Sequence, residues 1–316
     1  MDLSICILTH HQPKILPRCV LSCITEIERA HVSGEIIVID NASTDGSPQT
    51  VIGLSPPVRV IRNDENLGFS TANNRAIRAS HGRNVLILND DAVLQPGSLA
   101  LMLDVLESNP NIAAVGPNLV NPDGSAQTNY TNRRFPRWRG LVVGFMRLEP
   151  WFEKHAFTRD LFTQARDPGI SGETGYVAAA CLLARRRALE GVGLFDEAFY
   201  YWFEDADLCY RLKRSGWLIV YVAEARVTHY GSASTHRFTQ LEKSAITFRS
   251  MMYFFRKHWS PGRYLFFSGT VALALFLRIP VLVLVEVVRR ASRRRPPDDS
   301  LRASLRALRW LLLERT

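Results

Sequence analysis

The chain has 316 residues, 47% of them hydrophobic and 22% charged, an ordinary balance that excludes a disordered or fibrous protein. That length buries a substantial core in one large or two modest domains. The net charge of +9 is concentrated at one end: from Arg278 onward ten arginines face four acidic residues, so the remainder is close to neutral. A nucleic-acid reader that spreads its cations over a folded face is disfavoured by this layout.

Residues 3–9, 35–40, 58–61 and 84–89 are short apolar runs rich in β-formers. Between them lie polar, helix-compatible segments at about 14–31, 44–53 and 70–80. This alternation reads as βαβ units around a parallel sheet covered on both faces. Asp40-Asn41 and Asn89-Asp90-Asp91 each end a strand, and in an open parallel sheet the ligand crevice lies beyond that edge. Residues 41–47 read as a turn leading to a helix N-cap, a place suited to an anion. Asp40 would also serve an ordinary strand-end turn, and Asp90 and Asp91 a helix cap. No GxGxxG follows the first strand and no GxxxxGK[ST] occurs, so neither a dinucleotide fingerprint nor a P-loop is present.

Five cysteines, an odd number without CxxC spacing, argue against a disulfide frame or a structural zinc and for a reducing compartment. The first residues enter an apolar strand without a basic stretch or cleavage site, so no signal peptide is expected.

Residues 121–175 are weakly patterned and carry a basic, aromatic run at 133–139, which reads as long loops over a cleft. Regular patterning resumes at 176–184 and 217–222. Between these lies Tyr200-Tyr201-Trp202-Phe203-Glu204-Asp205-Ala206-Asp207, with three carboxylates within four residues. Such crowding raises the pKa of its members and is kept where a carboxylate acts as a base or meets a cation. A solvated, acidic first turn of a helix has the same composition.

From 264 to 288 the chain is almost continuously apolar, broken by Arg278, Pro280 and Glu286. A basic cluster at 289–295 follows, and then Leu301, Leu305, Leu308 and Leu312 form a helical stripe beside Arg302, Arg306 and Arg309. Three roles suit this tail: a membrane-crossing or re-entrant segment, a helix lying in the interface, or a buried helix of a homo-oligomer.

The residues at 38–47, 63–69 with Asn74-Arg75, 86–92, 193–197, 203–211 and 229–234 occur in the order and spacing of a family 2 glycosyltransferase of the GT-A type. Within that group the chain most resembles bacterial rhamnosyltransferase-like enzymes of cell-envelope polysaccharide synthesis, over about residues 3–260. The processive QxxRW signature is absent after the acidic motif. The resemblance implies a Rossmann-like, mostly parallel α/β domain over 1–260, with a donor half to about 120 and an acceptor half beyond it. Residues 261–316 would form a membrane-associating helical extension on the cytoplasmic face of the plasma membrane, drawn to anionic lipid.

It further implies inverting, metal-dependent transfer from a nucleotide diphosphate sugar to a lipid-linked or growing glycan, with dTDP-L-rhamnose as leading donor. A UDP-hexose, galactofuranose or N-acetylhexosamine donor would use the same chemistry. A non-catalytic membrane- or nucleic-acid-binding protein is the reading from another class. By the resemblance, Thr9, Asp40, Asn66, Asn74 and Asp90 line the nucleotide-sugar site, with Asp40 on the pyrimidine. Asp91 and His229 would hold Mg²⁺ or Mn²⁺, with Asn89 replacing the first Asp of the usual DxD. Asp205 is the expected base, with Glu204 and Asp207 holding the acceptor or shaping the field, and Arg211 balancing the acids.

Overall fold

The computed structural model describes residues 1–54, 58–128, 134, 135, 138, 141, 167–231, 238–292 and 299–313. The chain forms two compact units, Met1–Phe135 with Ala165–His236, and Pro136–Gln164 with Arg237–Thr316.

The first unit is built on one sheet whose main strand order is β3-β2-β1-β4-β8-β6-β9-β5. The apolar runs found in the sequence become β1 (Leu3–Thr9), β2 (Gly34–Asp40), β3 (Val58–Arg62) and β4 (Asn84–Asn89). These four are mutually parallel. In β1, β2 and β4 the side chains are buried on both faces because helices cover the sheet, which explains runs such as Ile36-Ile37-Val38-Ile39 in place of alternation, whereas the edge strand β3 is only partly buried. The remaining strands are β5 (Ala92–Leu94), β6 (Ile112–Val120), β7 (Gly172–Glu173), β8 (Cys181–Arg185) and β9 (Leu218–His229). β8 runs antiparallel between β4 and β6, and β6 pairs β9 in parallel. This is a GT-A type α/β fold.

Helix α1 (Leu16–Arg29) starts with a proline in its first turn and lays Leu16, Cys19, Val20, Cys23, Ile24 and Ile27 against the sheet. Helices α2 (Gly68–Ala79) and α3 (Ser98–Ser108) follow β3 and β5. The helix-compatible stretch at 44–53 yields only a four-residue 3-10 turn, Ser47–Thr50. Pro48 and the left-handed Gly46 and Gly53 explain why no α-helix continues there. The patterned run at 176–184 is strand only from Cys181; residues 176–180 form a buried loop. Short α4 (Arg186–Gly191) and α5 (Glu204–Arg214) complete this unit. All five cysteines are buried free thiols, and burial pushes Cys6 and Cys209 up to about 12.

The second unit contains α6 (Gln240–His258), α7 (Pro261–Ser292) and α8 (Ser300–Leu313). Thr239 and Glu242 close a capping box at the start of α6. The expected boundary near 260 moves to 236/237, because α6 groups with the tail helices. Its Phe255 packs on Phe267 of α7 at 4.8 Å between ring centroids, and its Phe248 meets Trp310 of α8 at 5.9 Å. Helix α7 continues through Pro280. Its Phe267, Val271, Ala274 and Leu275 are buried, whereas Phe266, Leu273, Phe276, Leu284 and Val288 are exposed. Pro261–Val288 is long and apolar enough to cross a membrane, with a mean hydropathy of 2.5.

Candidate active site

Register brings the strand-end residues together. Thr9 stands opposite Asp40, Leu8 opposite Asn89, and Asp40 opposite Arg62. The polar ends of β1, β2 and β4 therefore share one edge, where an open parallel sheet places its ligand.

Asp40 is fully buried there and its two oxygens are engaged by the chain. Arg62 Nε donates to Oδ2 at 3.0 Å, and Ser43 N–H donates to Oδ1 at 3.0 Å. A ligand N–H would have to use the lone pairs these bonds leave. Beside it, Asn41 Nδ2 donates to Asn66 Oδ1 at 2.9 Å, and the Gly68 N–H donates to the same oxygen at 3.0 Å. Gly68 has φ +78°, and a Cβ there would lie 2.5 Å from the Tyr200 ring. Only glycine permits that approach, which Phe69 N–H extends by donating to Tyr200 O at 3.0 Å.

Asn74 corrects its expected role. Its Nδ2 donates to Phe195 O at 2.9 Å and to Glu197 Oε1 at 2.8 Å, while Phe195 N–H donates to its Oδ1 at 3.0 Å. Both donor hydrogens and the acceptor are spent on the 195–197 turn, so Asn74 is a brace between α2 and that turn. Asn66 is likewise committed to the 66–68 turn through its carbonyl.

Asp90 and Asp91 form a turn between β4 and β5 rather than a helix cap. His10 N–H donates to Asp90 Oδ2 at 3.2 Å. Burial, and then the neighbouring Asp91 charge, push the Asp90 carboxyl up to about 8. The β5–β9 register sets Ala92 opposite His229, so the side chain before one strand meets the end of the other. His229 Nε2 lies 3.3 Å from Asp91 Oδ1, and both side chains are buried. Gln127 fixes the imidazole: its Nε2 donates to His229 O at 2.6 Å and to Asn121 Oδ1 at 2.8 Å, which turns Oε1 to His229 Nδ1 at 2.8 Å.

With Nδ1 turned to the Gln127 carbonyl oxygen, Nε2 is the ring atom that faces Asp91 Oδ1. Adjacent ligands of an octahedral ion with bonds of about 2.1 Å are separated by about 3 Å, so this pair fits a divalent cation. Among the described residues no group of three or more His, Cys, Asp or Glu forms a fuller metal cage. Two protein ligands are sufficient where phosphate oxygens and water supply the rest. Gln127 was missed from sequence; only its place before the 129–166 region, far from His229 in the chain, was legible.

Helix α5 begins with Trp202 and Phe203 in consecutive left-handed conformations, φ 62° and 69°. Two bulky residues held so cost about 1–3 kcal/mol each, and such backbone clusters at functional sites. The strain delivers Glu204 and Asp205 to the helix N-terminus. Glu204 is buried, its Oε2 has no hydrogen-bond partner, and burial followed by the Asp205 charge raises its carboxyl well above the ordinary range. Asp205 is the most exposed of the three carboxylates, and its Oδ1 accepts the Ala206 N–H at 2.7 Å. Asp207 departs from the expected role of holding the acceptor. It is fully buried and takes Arg211 Nε at 2.7 Å, while Arg211 also donates to Val192 O and Leu194 O at 2.5 and 2.6 Å. That pair clamps α5 to the preceding turn, with Arg211 bonded to Asp207 of the acid cluster.

The segment leading into α5 meets this edge at the 66–68 turn, through the Tyr200 contacts with Gly68 and Phe69. Phe135 stacks on Tyr176 at 5.9 Å and meets Tyr210 of α5 edge-on at 5.2 Å. Tyr176 opens the loop that enters β8, where Asn89 N–H donates to Ala180 O at 3.0 Å. Most of the 133–139 run and Ser232, Ala233 and Ser234 lie outside the described residues, as do Arg293 to Arg295 of the basic cluster.

The profile of "Glycosyl transferase family 2" matches residues 4–193. An N-acetylglucosaminyl-diphospho-decaprenol L-rhamnosyltransferase of Mycobacterium tuberculosis is 36% identical over 216 residues, 64% of this chain and 68% of that protein. The O-antigen biosynthesis protein RfbC of Myxococcus xanthus is 28% identical over 237 residues, 71% of this chain but 17% of that protein. Among solved structures, a mannosyltransferase from Pyrobaculum calidifontis with GDP-Man and Mn²⁺ superposes with a TM-score of 0.57 at 15% identity, covering 100% of this chain and 88% of that one. GalNAc-T7 with UDP, GalNAc and Mn²⁺ gives 0.58 at 16% identity, covering 99% of this chain, which spans 56% of that one. With the profile spanning the parallel block, the 63–69 turn, the Asp91 turn and β8, the chain belongs to glycosyl transferase family 2 and is a glycosyltransferase.

Proposed function

We propose that the protein moves a sugar, with inversion, from a nucleotide diphosphate sugar to a lipid-linked or growing cell-envelope glycan, and that L-rhamnose from dTDP-L-rhamnose is the donor. The observation that carries this reading is the Asp91–His229 pair, held at 3.3 Å by Gln127 beside the ends of the parallel strands. The L-rhamnosyltransferase named above, whose acceptor carries a diphospho-decaprenol, supports the choice of sugar and acceptor.

Asp91 and His229 would hold Mg²⁺ or Mn²⁺, which when bound supplies positive charge to the diphosphate leaving group. The other roles belong to the chain. Thr9, Asp40 and the turn at Asn66 shape the nucleotide side, and Asp90 anchors the His10 backbone over it. Asp205 takes the proton from the acceptor hydroxyl as that oxygen attacks the anomeric carbon. Glu204, whose carboxyl is raised by burial and then by the Asp205 charge, favours its neutral form beside the base. Asp207 and Arg211 hold the helix that carries both.

The exposed apolar face of α7 supports membrane association at the cytoplasmic face, where a lipid-linked acceptor would present its sugar. Calorimetry of the full chain with dTDP-L-rhamnose, UDP and GDP sugars, with and without MnCl₂, tests the reading. Manganese-dependent binding of the dTDP sugar above the others is expected. Binding of a UDP sugar alone would move the donor to a UDP-hexose, and no metal-dependent binding of any sugar nucleotide would overturn the proposal.

A further inference from the structure

Helices α6 and α8 line an open cavity of about 440 Å³ within the second unit. The edge-on pair Phe248 and Trp310 forms part of its wall. Around it stand Arg249 from α6 and Arg306 and Arg309 from α8, against one acidic residue, Glu242. Thr239 N–H and Oγ1–H donate to Glu242 Oε2 at 2.8 and 2.9 Å, and these bonds, with the nearby Arg306 charge, hold its carboxyl below the ordinary range. The lining therefore offers a net positive field, and all three cations are arginines, whose planar forks match phosphate oxygens in pairs.

The volume falls within the range of about 300–1,000 Å³ typical of small-molecule sites. Ser304 and Leu311 bury the opposite face of α8, so the cavity side is set by packing rather than by chance orientation. The surroundings identify the ligand class. Leu305, Leu312 and Leu313 of α8 are exposed, as is the apolar face of α7. A tryptophan and arginines beside exposed leucines are the arrangement of a protein surface at the lipid headgroup level.

We infer that the α6–α8 cavity is a saturable site for the head group of an anionic phospholipid, distinct from diffuse attraction of the basic tail to an anionic surface. The inference rests on the membrane reading of α7 given above, and the two fail separately in one experiment. The full chain is partitioned onto vesicles of phosphatidylcholine alone and of phosphatidylcholine with phosphatidylglycerol. The wild type binds both, and the anionic vesicles at least about 30-fold more tightly. Removing two arginines in the Arg306→Gln/Arg309→Gln variant cuts that preference about 30-fold, taking roughly a factor of five for each cation at the surface. Arg302→Gln, an exposed arginine of the same helix that pairs with Asp299 outside the cavity, changes it less than twofold.

Tryptophan fluorescence responds to the anionic vesicles in wild type and loses that component in Trp310→Phe. A loss of about fivefold in Arg302→Gln, the same per cation as in the double variant, would mean diffuse attraction and overturn the site. Unchanged binding of the double variant would overturn it too, and so would inorganic phosphate giving the full Trp310 response without lipid. Binding to phosphatidylcholine without any anionic preference would sink the head-group site alone. Binding to neither vesicle would sink both it and the membrane reading.

Discussion

Asn74 and Phe195, 121 residues apart in sequence, exchange two hydrogen bonds, with the Asn74 amide donating to the Phe195 carbonyl and receiving its N–H. Glu197 takes the second amide hydrogen. A single side chain thus ties the helix behind the nucleotide end to the turn that leads into the acidic helix. Removing it strands a buried N–H and a buried carbonyl, each costing about 1–3 kcal/mol.

Asn74→Ala is accordingly expected to destabilise the protein by about 3 kcal/mol, a drop of roughly 6–12 °C in Tm at about 2–4 °C per kcal/mol. Scanning calorimetry reads this, and donor affinity per folded molecule should change less than threefold. A large loss of donor affinity with unchanged Tm would restore Asn74 to the nucleotide site.

Asp205 and Glu204 should separate cleanly. Asp205→Asn is expected to lower kcat by at least about 10²-fold while donor affinity holds within a few-fold, because the proton acceptor alone is lost. Glu204→Gln retains the shape of a protonated carboxyl. A carboxyl whose folded pKa is raised binds more protons folded than unfolded, so its contribution to stability falls as pH rises above its ordinary value of 4.5. Thermal melts from pH 5 to 9 should show the wild type losing Tm more steeply toward alkaline pH than Glu204→Gln. Identical slopes would remove the buried, protonated state from the account.

Gln127 orients His229 without facing the ligand itself. Gln127→Ala should weaken manganese-dependent donor binding about 10–100-fold, the effect common to partners that orient metal-binding histidines. Asp91→Ala should abolish the metal dependence altogether. Titration of donor with and without Mn²⁺ checks both, and Gln127→Glu, which keeps an acceptor for Nδ1–H, should recover part of the loss.

Ala42 adopts φ 67° in the loop beside Asp40. Glycine accepts that region without penalty, so Ala42→Gly should raise stability by about 0.5–1 kcal/mol, readable as a Tm increase of about 1–4 °C. An unchanged or lower Tm would mean that the methyl packs well enough to offset its backbone cost.

The parallel strands were legible because doubly covered strands leave continuous apolar runs, and residues 3–9 and 84–89 stop where the structure stops them. Asp91 and His229 were legible through the family pattern. Their contact depends on the antiparallel β5–β9 pairing, which a three-residue strand such as Ala92–Leu94 does not announce. Asn74 and Asp207 carry the same family signal as ligand residues yet serve as braces, since a motif records which residue stands there and not what it touches. Gln127 had no signal at all, because a second layer of hydrogen bonding is written in space alone. The helix at 240–258 looked like the end of the catalytic domain until its phenylalanines met Phe267 and Trp310.

Strand β8 carries a further implication. It bonds to β4 on one side and to β6 on the other, so the halves that would receive donor and acceptor are stitched into one continuous ladder. Two lobes swinging about a hinge would have to tear main-chain bonds at the centre of the sheet. The sheet beneath the site is therefore one continuous platform.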